Sequence, residues 1–173
     1  MAKVLPTTEK DLIARLLRVQ ADEFFRGSEL LYEAQGYAGG DSAYFLRLMA
    51  IELYFKLIYL LETESLIFGH ELREIFDLLP RGPRQSVFHG FNQRVTADLQ
   101  LDEFREWLKY LGGLFMQIRY PFEEFREMPI EDYEAKLKRF EQAAHDDFSD
   151  ASIVYHIDRV NSLVGALRAQ AAT

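Results

Sequence analysis

The chain contains no cysteine. This absence excludes disulfides, thiolate catalysis and zinc sites built on cysteine, and it fits a reducing cytosol. The first residues, MAKVLPTTEK, lack the apolar core of a signal peptide. No run of about 18 uncharged apolar residues occurs, so the sequence predicts no transmembrane helix. We therefore expect a cytoplasmic protein that does not enter a membrane.

Positive charge is scarce. The chain has 20 lysines and arginines against 28 aspartates and glutamates, which gives a net charge of -8. A chain this acidic is a poor general binder of nucleic acid, because affinity for phosphate comes mainly from clustered cations. It can still contact RNA through a local basic groove. The acidity also suits a basic partner or a well-solvated surface.

The usual signatures of metal and phosphate sites are missing as well. The four histidines are scattered, and neither a His-Glu-x-x-His nor a paired Glu-x-x-His spacing occurs. Gly39-Gly40 and Gly112-Gly113 lack the other residues of a phosphate-binding loop. The sequence therefore predicts no metal ion and no cofactor.

The most informative stretch that is present runs from Asp41 to Leu61, DSAYFLRLMAIELYFKLIYLL. Its apolar residues recur at the three-and-four spacing of a buried helix, and further apolar residues widen that stripe until little of the surface is polar. A helix that is apolar nearly all round belongs in the middle of a bundle. We expect this helix to be the most buried element of the fold.

Amphipathic patterns on both sides of this stretch predict further helices, and no strand-like alternation persists. The class is therefore all-α, an up-and-down bundle of five or more helices in a single domain over residues 1–173. The predicted helices run over Thr8 to about Gln35, His70 to Leu79, Pro83 to about Val95, Asp102 to Ile118, Ile130 to about His145, and Ser152 to about Ala169.

Two charges lie inside the apolar helix. Glu52 and Lys56 are four residues apart and so share one face. Buried charges require partners, and the sequence predicts a shared polar cluster of Glu52, Lys56, His70, Arg119 and Tyr120 as the best candidate binding site. Because His70 follows Gly69, we expect it to order the start of a helix rather than to act in catalysis.

Three segments, in this order, resemble the HEPN superfamily. They are the apolar helix with Glu52 and Lys56, the turn Gly69-His70-Glu71-Leu72, and Ile118-Arg119-Tyr120-Pro121. The resemblance covers about residues 28–124 and implies a small helical bundle, with about 130–170 as an added C-terminal helical segment. It also implies association with RNA in a toxin-antitoxin or defence setting, where a nucleotidyltransferase-type antitoxin would be the partner.

Many HEPN proteins are metal-independent ribonucleases that use an arginine and a histidine with four to six residues between them. Arg84 and His89 have this spacing, as do Arg139 and His145. Arg84 and His89 are the candidate catalytic pair, because they lie inside the family-like region. An arginine can hold the phosphate while a histidine moves a proton from a ribose 2′-hydroxyl. The residues that follow the two arginines, Gln85 and Phe140, depart from the Asn, Asp or His that often stands there in the family. The alternative is that Arg84 and His89 are ordinary surface residues.

Two functions therefore stay open at the level of sequence. The first is a HEPN-like protein that acts on or alongside RNA, with enzyme status undecided. The second is a non-catalytic helical module for dimerisation and partner binding.

The resemblance also implies a homodimer, and large apolar residues that fall off the main inward stripes point to the same assembly. The residues in question are Leu46, Phe55, Tyr59 and Phe68. The competing account is that the C-terminal helix covers them, with Ile153, Ile157 and Val160 supplying the contacts.

Overall fold

The computed structural model describes residues 6–35, 40–119, 129–132, 134–135, 138 and 156–172. These ranges contain no β-strand, which confirms the all-α class. Residues 130–132, 134–135 and 138 are helical. The longer helices are α1 (Thr7–Gln35), α2 (Gly40–Thr63), α3 (Leu72–Leu78), α4 (Arg81–Asn92), α5 (Leu101–Arg119) and α6 (Ile157–Ala171). No described helix combines the length and apolar character that crossing a membrane requires.

Helix α2 is the centre of the bundle, as predicted. It packs against α1, α3, α5 and α6, and twelve of its residues are buried. Neighbours on several sides explain why its sequence is apolar nearly all round, since no face is left wholly to solvent. The polar side chains of α2 that are buried must find partners inside the bundle, and this requirement creates the candidate site described below.

Helix α1 packs on α2 through small side chains. Ala14, Ala21 and Ser28 are buried and stand seven residues apart, so they share one side of the helix. The helix runs unbroken through Gly27 and Ser28. The Ser28 hydroxyl donates to the Phe25 carbonyl at 2.6 Å, so this buried polar group is satisfied within the helix.

Aromatic rings join α3, α4 and α5. Phe104 on α5 lies 5.2 Å from Phe76 on α3 and 4.8 Å from Phe91 on α4, measured between ring centroids. Trp107 and Phe88 complete the cluster at 5.9 Å and 5.5 Å from Phe104. These contacts fix the position of α4, whose outer side then faces solvent.

Helix α6 belongs to the core. Val160, Leu163, Val164 and Leu167 are buried, and the helix packs against both α2 and α4. At the crossing with α4, a Cβ atom on Gly90 would lie 3.3 Å from the Ala166 Cβ, so the helices approach closely. The predicted start of this helix, Ser152, lies outside the described residues.

One argument for a homodimer changes once the fold is known. Phe55 is fully buried, and its ring packs on Phe76 at 6.1 Å, so helix α3 covers it within the chain. Leu46 and Tyr59 are partly buried. Phe68 is the exception at 85% exposed. The homodimer stays a prediction, but Phe55 does not support it, because α3 already covers this side chain. The sequence pattern could not show that α3 folds back over α2.

A pH dependence is expected at the start of α6. Burial lowers the pKa of His156 from its ordinary value of 6.5, and Arg159 lowers it further. As pH falls below 6.5, the unfolded chain binds a proton that the folded chain resists, so stability decreases. His156→Asn should remove this part of the decrease in Tm between neutral and mildly acidic pH, because asparagine does not titrate and caps helices well. His89→Asn, at an exposed histidine, is the control, and an equal effect of both variants would contradict the assignment.

Candidate functional site

A buried carboxylate, Glu52, is the centre of a polar cluster between α2 and the segment that precedes α3. Lys56 Nζ donates to Glu52 Oε1 at 2.7 Å, and the two side chains are 16% and 5% exposed. His70 Nδ1 lies 3.0 Å and 3.1 Å from the two carboxylate oxygens. A carboxylate only accepts hydrogen bonds, so Nδ1 is the donor. Glu52 therefore holds a lysine and a histidine at once.

Local structure explains why these three side chains meet. The spacing of four residues places Glu52 and Lys56 on one face of α2. Gly69 has a φ of 110°, a conformation that suits glycine, and this turn precedes His70. The His70 ring then stacks on Phe115, with 6.4 Å between centroids, and Phe115 stacks on Phe45 at 5.3 Å. The cluster thus has an apolar wall contributed by α2 and α5.

The chemistry open to this cluster is proton transfer or polar recognition. A carboxylate that orients an imidazole is an arrangement used in general acid-base catalysis. The His70 side chain is 57% exposed, so part of the imidazole is accessible from solvent. The described residues contain no group of three or more histidines, aspartates or glutamates placed to hold a metal ion. The contacts of His70 with Glu52 also fasten the connection between α2 and α3, which is a structural role.

The sequence predicted five members for this cluster, and the structure brings three of them together. Glu52, Lys56 and His70 are in contact. The side chain of Arg119 and the whole of Tyr120 lie outside the described residues.

The predicted catalytic pair is placed on α4, but its two members point in different directions. Arg84 is half-buried and donates from Nη1 to the Asp77 carbonyl at 3.0 Å, at the end of α3. His89 is exposed, beside Phe88. Five residues along a helix correspond to a rotation of about 140°, so the two side chains do not meet on one face. Arg139 and His145 lie outside the described residues.

Two surface pockets lie elsewhere. One, of about 460 Å³, is lined by Asp41, Ser42, Phe45, Leu46 and Ile118. The other, of about 300 Å³, is lined by Glu106, Lys109, Tyr110, Gly113 and Leu114. Neither is lined by Glu52, Lys56 or His70, so the polar cluster does not form the floor of either pocket.

Arg47 is a buried charge to which the sequence reading gave no role. It is 3% exposed, and its Nε donates to Asn161 Oδ1 on α6 at 3.0 Å. The guanidinium carbon lies 5.6 Å from the centre of the Tyr32 ring on α1. Burial lowers the pKa of Arg47, and the nearby Glu29 partly opposes this effect. Arg47 thus links α1, α2 and α6. Its position inside an apolar stripe is the sequence feature that could have predicted this buried role.

The sequence analysis also did not predict a row of polar side chains on α4. Arg81, Gln85, His89 and Gln93 are all exposed and stand four residues apart, so they form one ridge, here called the α4 ridge. From Leu78 to Ala97 the chain contains three arginines and no aspartate or glutamate. The signal was this acid-free run, which is unusual in a chain with a net charge of -8.

The third missed feature is an exposed apolar line on α1. Leu12, Leu16, Val19 and Leu30 are 56%, 57%, 47% and 57% exposed. They lie on the side of α1 opposite the small residues that face α2. Large apolar side chains aligned on a surface commonly mark an interface.

The comparisons with known proteins give no match: no protein-family model, no curated protein and no solved structure is similar to this chain. The resemblance to the HEPN superfamily therefore rests on the three short segments alone.

Proposed function

We propose that this protein associates with RNA through the α4 ridge, in the toxin-antitoxin or defence setting that the resemblance to HEPN proteins implies. The observation that carries the proposal is the absence of acidic residues from Leu78 to Ala97, a segment that holds Arg81, Arg84, Arg94 and His89. Phosphate is bound by clustered cations, and a local cluster can act even where the whole chain is acidic.

The arrangement of the ridge suits the backbone of a nucleic acid. Arg81 and His89 are exposed, and Gln85 between them offers an amide that can bond to phosphate or sugar. The aromatic cluster beneath α4 holds the helix in place, so these side chains are presented from a rigid element. No base-specific contact is implied, and we expect binding to depend strongly on salt.

Cleavage of RNA is a further step that the geometry supports less well. Arg84 donates to the Asp77 carbonyl, and His89 projects from another side of α4. A ribonuclease mechanism needs both groups at one phosphate, one to hold it and the other to move the proton of the 2′-hydroxyl. Arg81 lies on the ridge with His89, but it is eight residues away, about 12 Å along α4, so it does not fill this role within one chain.

The test is binding of single-stranded RNA, measured by fluorescence anisotropy in the presence of a metal chelator. Gln85→Glu places a negative charge in the middle of the ridge and should weaken binding by about 3–10-fold. The matched control is Gln20→Glu, which makes the same change at an exposed position on α1 and should have little effect. Equal effects of the two variants, or no binding by the parent at low salt, would reject the ridge.

The same samples report on cleavage. If the ridge is catalytic, the parent shortens the RNA without metal, and His89→Ala loses that activity while staying folded. Binding without cleavage would leave a non-catalytic RNA-associated protein.

A second function, a helical module for partner binding, is favoured by a different observation. The apolar line on α1 exposes Leu12, Leu16, Val19 and Leu30. Its side chains are apolar, whereas those of the α4 ridge are polar. A surface of this kind is suited to another protein chain rather than to RNA.

A further inference from the structure

The apolar line on α1 has the spacing of a coiled-coil seam. Leu12, Leu16, Val19, Glu23, Arg26 and Leu30 are four, three, four, three and four residues apart, and all six are exposed. This alternation is the a/d pattern through which one helix packs against another. We call these six residues the α1 seam.

The other side of α1 supports this description. Ala14, Ala21 and Ser28 recur at the same seven-residue period and are buried on the core side. In the heptad that places the seam at a and d, these three residues occupy f, the position opposite the seam. Helix α1 therefore has one side for the bundle and a separate one for a partner helix.

We propose that the partner is a second copy of this chain, paired through α1 in antiparallel orientation about a two-fold axis. This inference rests on the second function proposed above and names its partner. Glu23 and Arg26 carry opposite charges at neighbouring seam positions. An axis midway between them sets Glu23 against Arg26 of the copy, and Arg26 against Glu23, so one surface is complementary to itself.

The same register brings apolar residues together. Val19 then faces Leu30 of the copy, twice per dimer, on both sides of the central charge pairs. Leu16 lies at each end, beside the exposed Glu33. A shift by one heptad would set Leu12 against Leu30, but it would also place Leu16 against Arg26 and Val19 against Glu23. That register has four contacts of an apolar side chain with a charge per dimer, against the two that Leu16 and Glu33 make in the register proposed here.

A parallel pair is disfavoured by the same residues. In a parallel coiled coil each seam residue meets its own equivalent, so Glu23 would meet Glu23 and Arg26 would meet Arg26. Like charges at such positions oppose association. The charge order of α1 thus selects the antiparallel two-fold arrangement.

The first test measures mass by light scattering at micromolar concentration. The parent should have twice the chain mass of 20.2 kDa. Leu30→Glu should weaken association at least about 100-fold, because it removes an apolar contact at two places in the dimer. The matched control is Leu78→Glu on α3, where the leucine is 58% exposed, and it should not change the mass. A monomeric parent, or a dimer that tolerates Leu30→Glu, overturns the proposal.

Charge exchange tests the register. Glu23→Arg alone and Arg26→Glu alone should each weaken association at least about tenfold, since each sets like charges against one another. The two changes together restore opposite charges and should return the affinity to within about threefold of the parent. Failure of the double variant to recover overturns the antiparallel register.

A photo-reactive side chain at Leu16 separates this inference from the function on which it rests. A crosslinked product of twice the chain mass supports pairing of two copies. A product of another mass rejects the second copy as the partner but retains α1 as a binding surface. The exposed Ser86 on α4 is the control position for the photo-reactive side chain. If Leu16 gives no more product than Ser86, both the pairing of two copies and α1 as a binding surface are rejected.

Discussion

Phe104→Ala should lower the free energy of unfolding by about 3–5 kcal/mol, the range typical of large-to-small changes at buried aromatic residues. Phe104 is fully buried and touches the rings of Phe76, Phe88, Phe91 and Trp107, with centroids 4.8–5.9 Å away. Its removal leaves a cavity lined by rings from three helices. These rings cannot all shift inward, since each is also fixed by its own helix.

Denaturant unfolding followed by circular dichroism measures this change. Leu101→Ala is the control on the same helix, because Leu101 is 38% exposed and should lose about 1 kcal/mol or less. A loss below about 1 kcal/mol for Phe104→Ala would mean that the site collapses to fill the space. The variant also bears on the proposed function, since α4 rests on this cluster.

The sequence predicted the helices well where apolar periodicity was strong. Predicted Asp41–Leu61 is Gly40–Thr63 in the structure, and predicted Thr8 to Gln35 is Thr7–Gln35. Helix starts were less accurate. Asp102 was the predicted start of α5, but the helix begins at Leu101, and the backbone N–H of Gln100 donates to Glu103 Oε2 at 2.7 Å. Several polar residues near a helix start can serve as its cap, and their order alone does not decide between them.

The candidate site was predictable only in part. The contact of Glu52 with Lys56 follows from their spacing along one helix. The contact of Glu52 with His70 depends on how the chain turns at Gly69, and the sequence supplied it only through the requirement that a buried charge have partners. Arg84 and His89 matched a spacing, but spacing along the chain does not place two side chains on one face of a helix.

The α4 ridge and the α1 seam were missed for a different reason. Periodicity marks apolar residues as core, and the α1 seam is as periodic as the stripe that packs on α2. Exposure separates the two sides of α1, and exposure is known only once the neighbours of α1 are known. The ridge lacks any apolar pattern, and charge composition alone does not reveal which side of a helix faces solvent.

The second large effect is expected at Glu52. Glu52→Met removes the carboxylate that pairs with Lys56, whose side chain is 16% exposed. Leaving one partner of a buried ion pair uncompensated typically costs about 3–5 kcal/mol. We expect about 3 kcal/mol, the lower end, because Lys56 retains some access to water. Glu62→Met, at an exposed glutamate on the same helix, should change stability by less than about 0.5 kcal/mol.

Lys56→Ala should have a smaller effect than the change at Glu52. The Glu52 carboxylate keeps its contact with His70, at 3.0 Å, after the lysine is removed. Its remaining charge is still nearly buried, so the loss should exceed about 0.5 kcal/mol, the value typical of exposed pairs. A smaller loss would mean that Glu52 and Lys56 behave as a surface pair.

A combined variant tells lost charge balance from lost packing. Glu52→Met together with Lys56→Met replaces the ion pair by two unbranched apolar side chains of similar length, and such exchanges are often neutral. The double variant should therefore recover most of the stability that Glu52→Met alone removes, as measured by chemical denaturation. His70 loses its acceptor in both variants, but at 57% exposure it can turn to water. If the double variant is as unstable as the single one, the cluster stabilises the fold by its shape and its contact with His70, and the isolated lysine charge is not the cause of the loss.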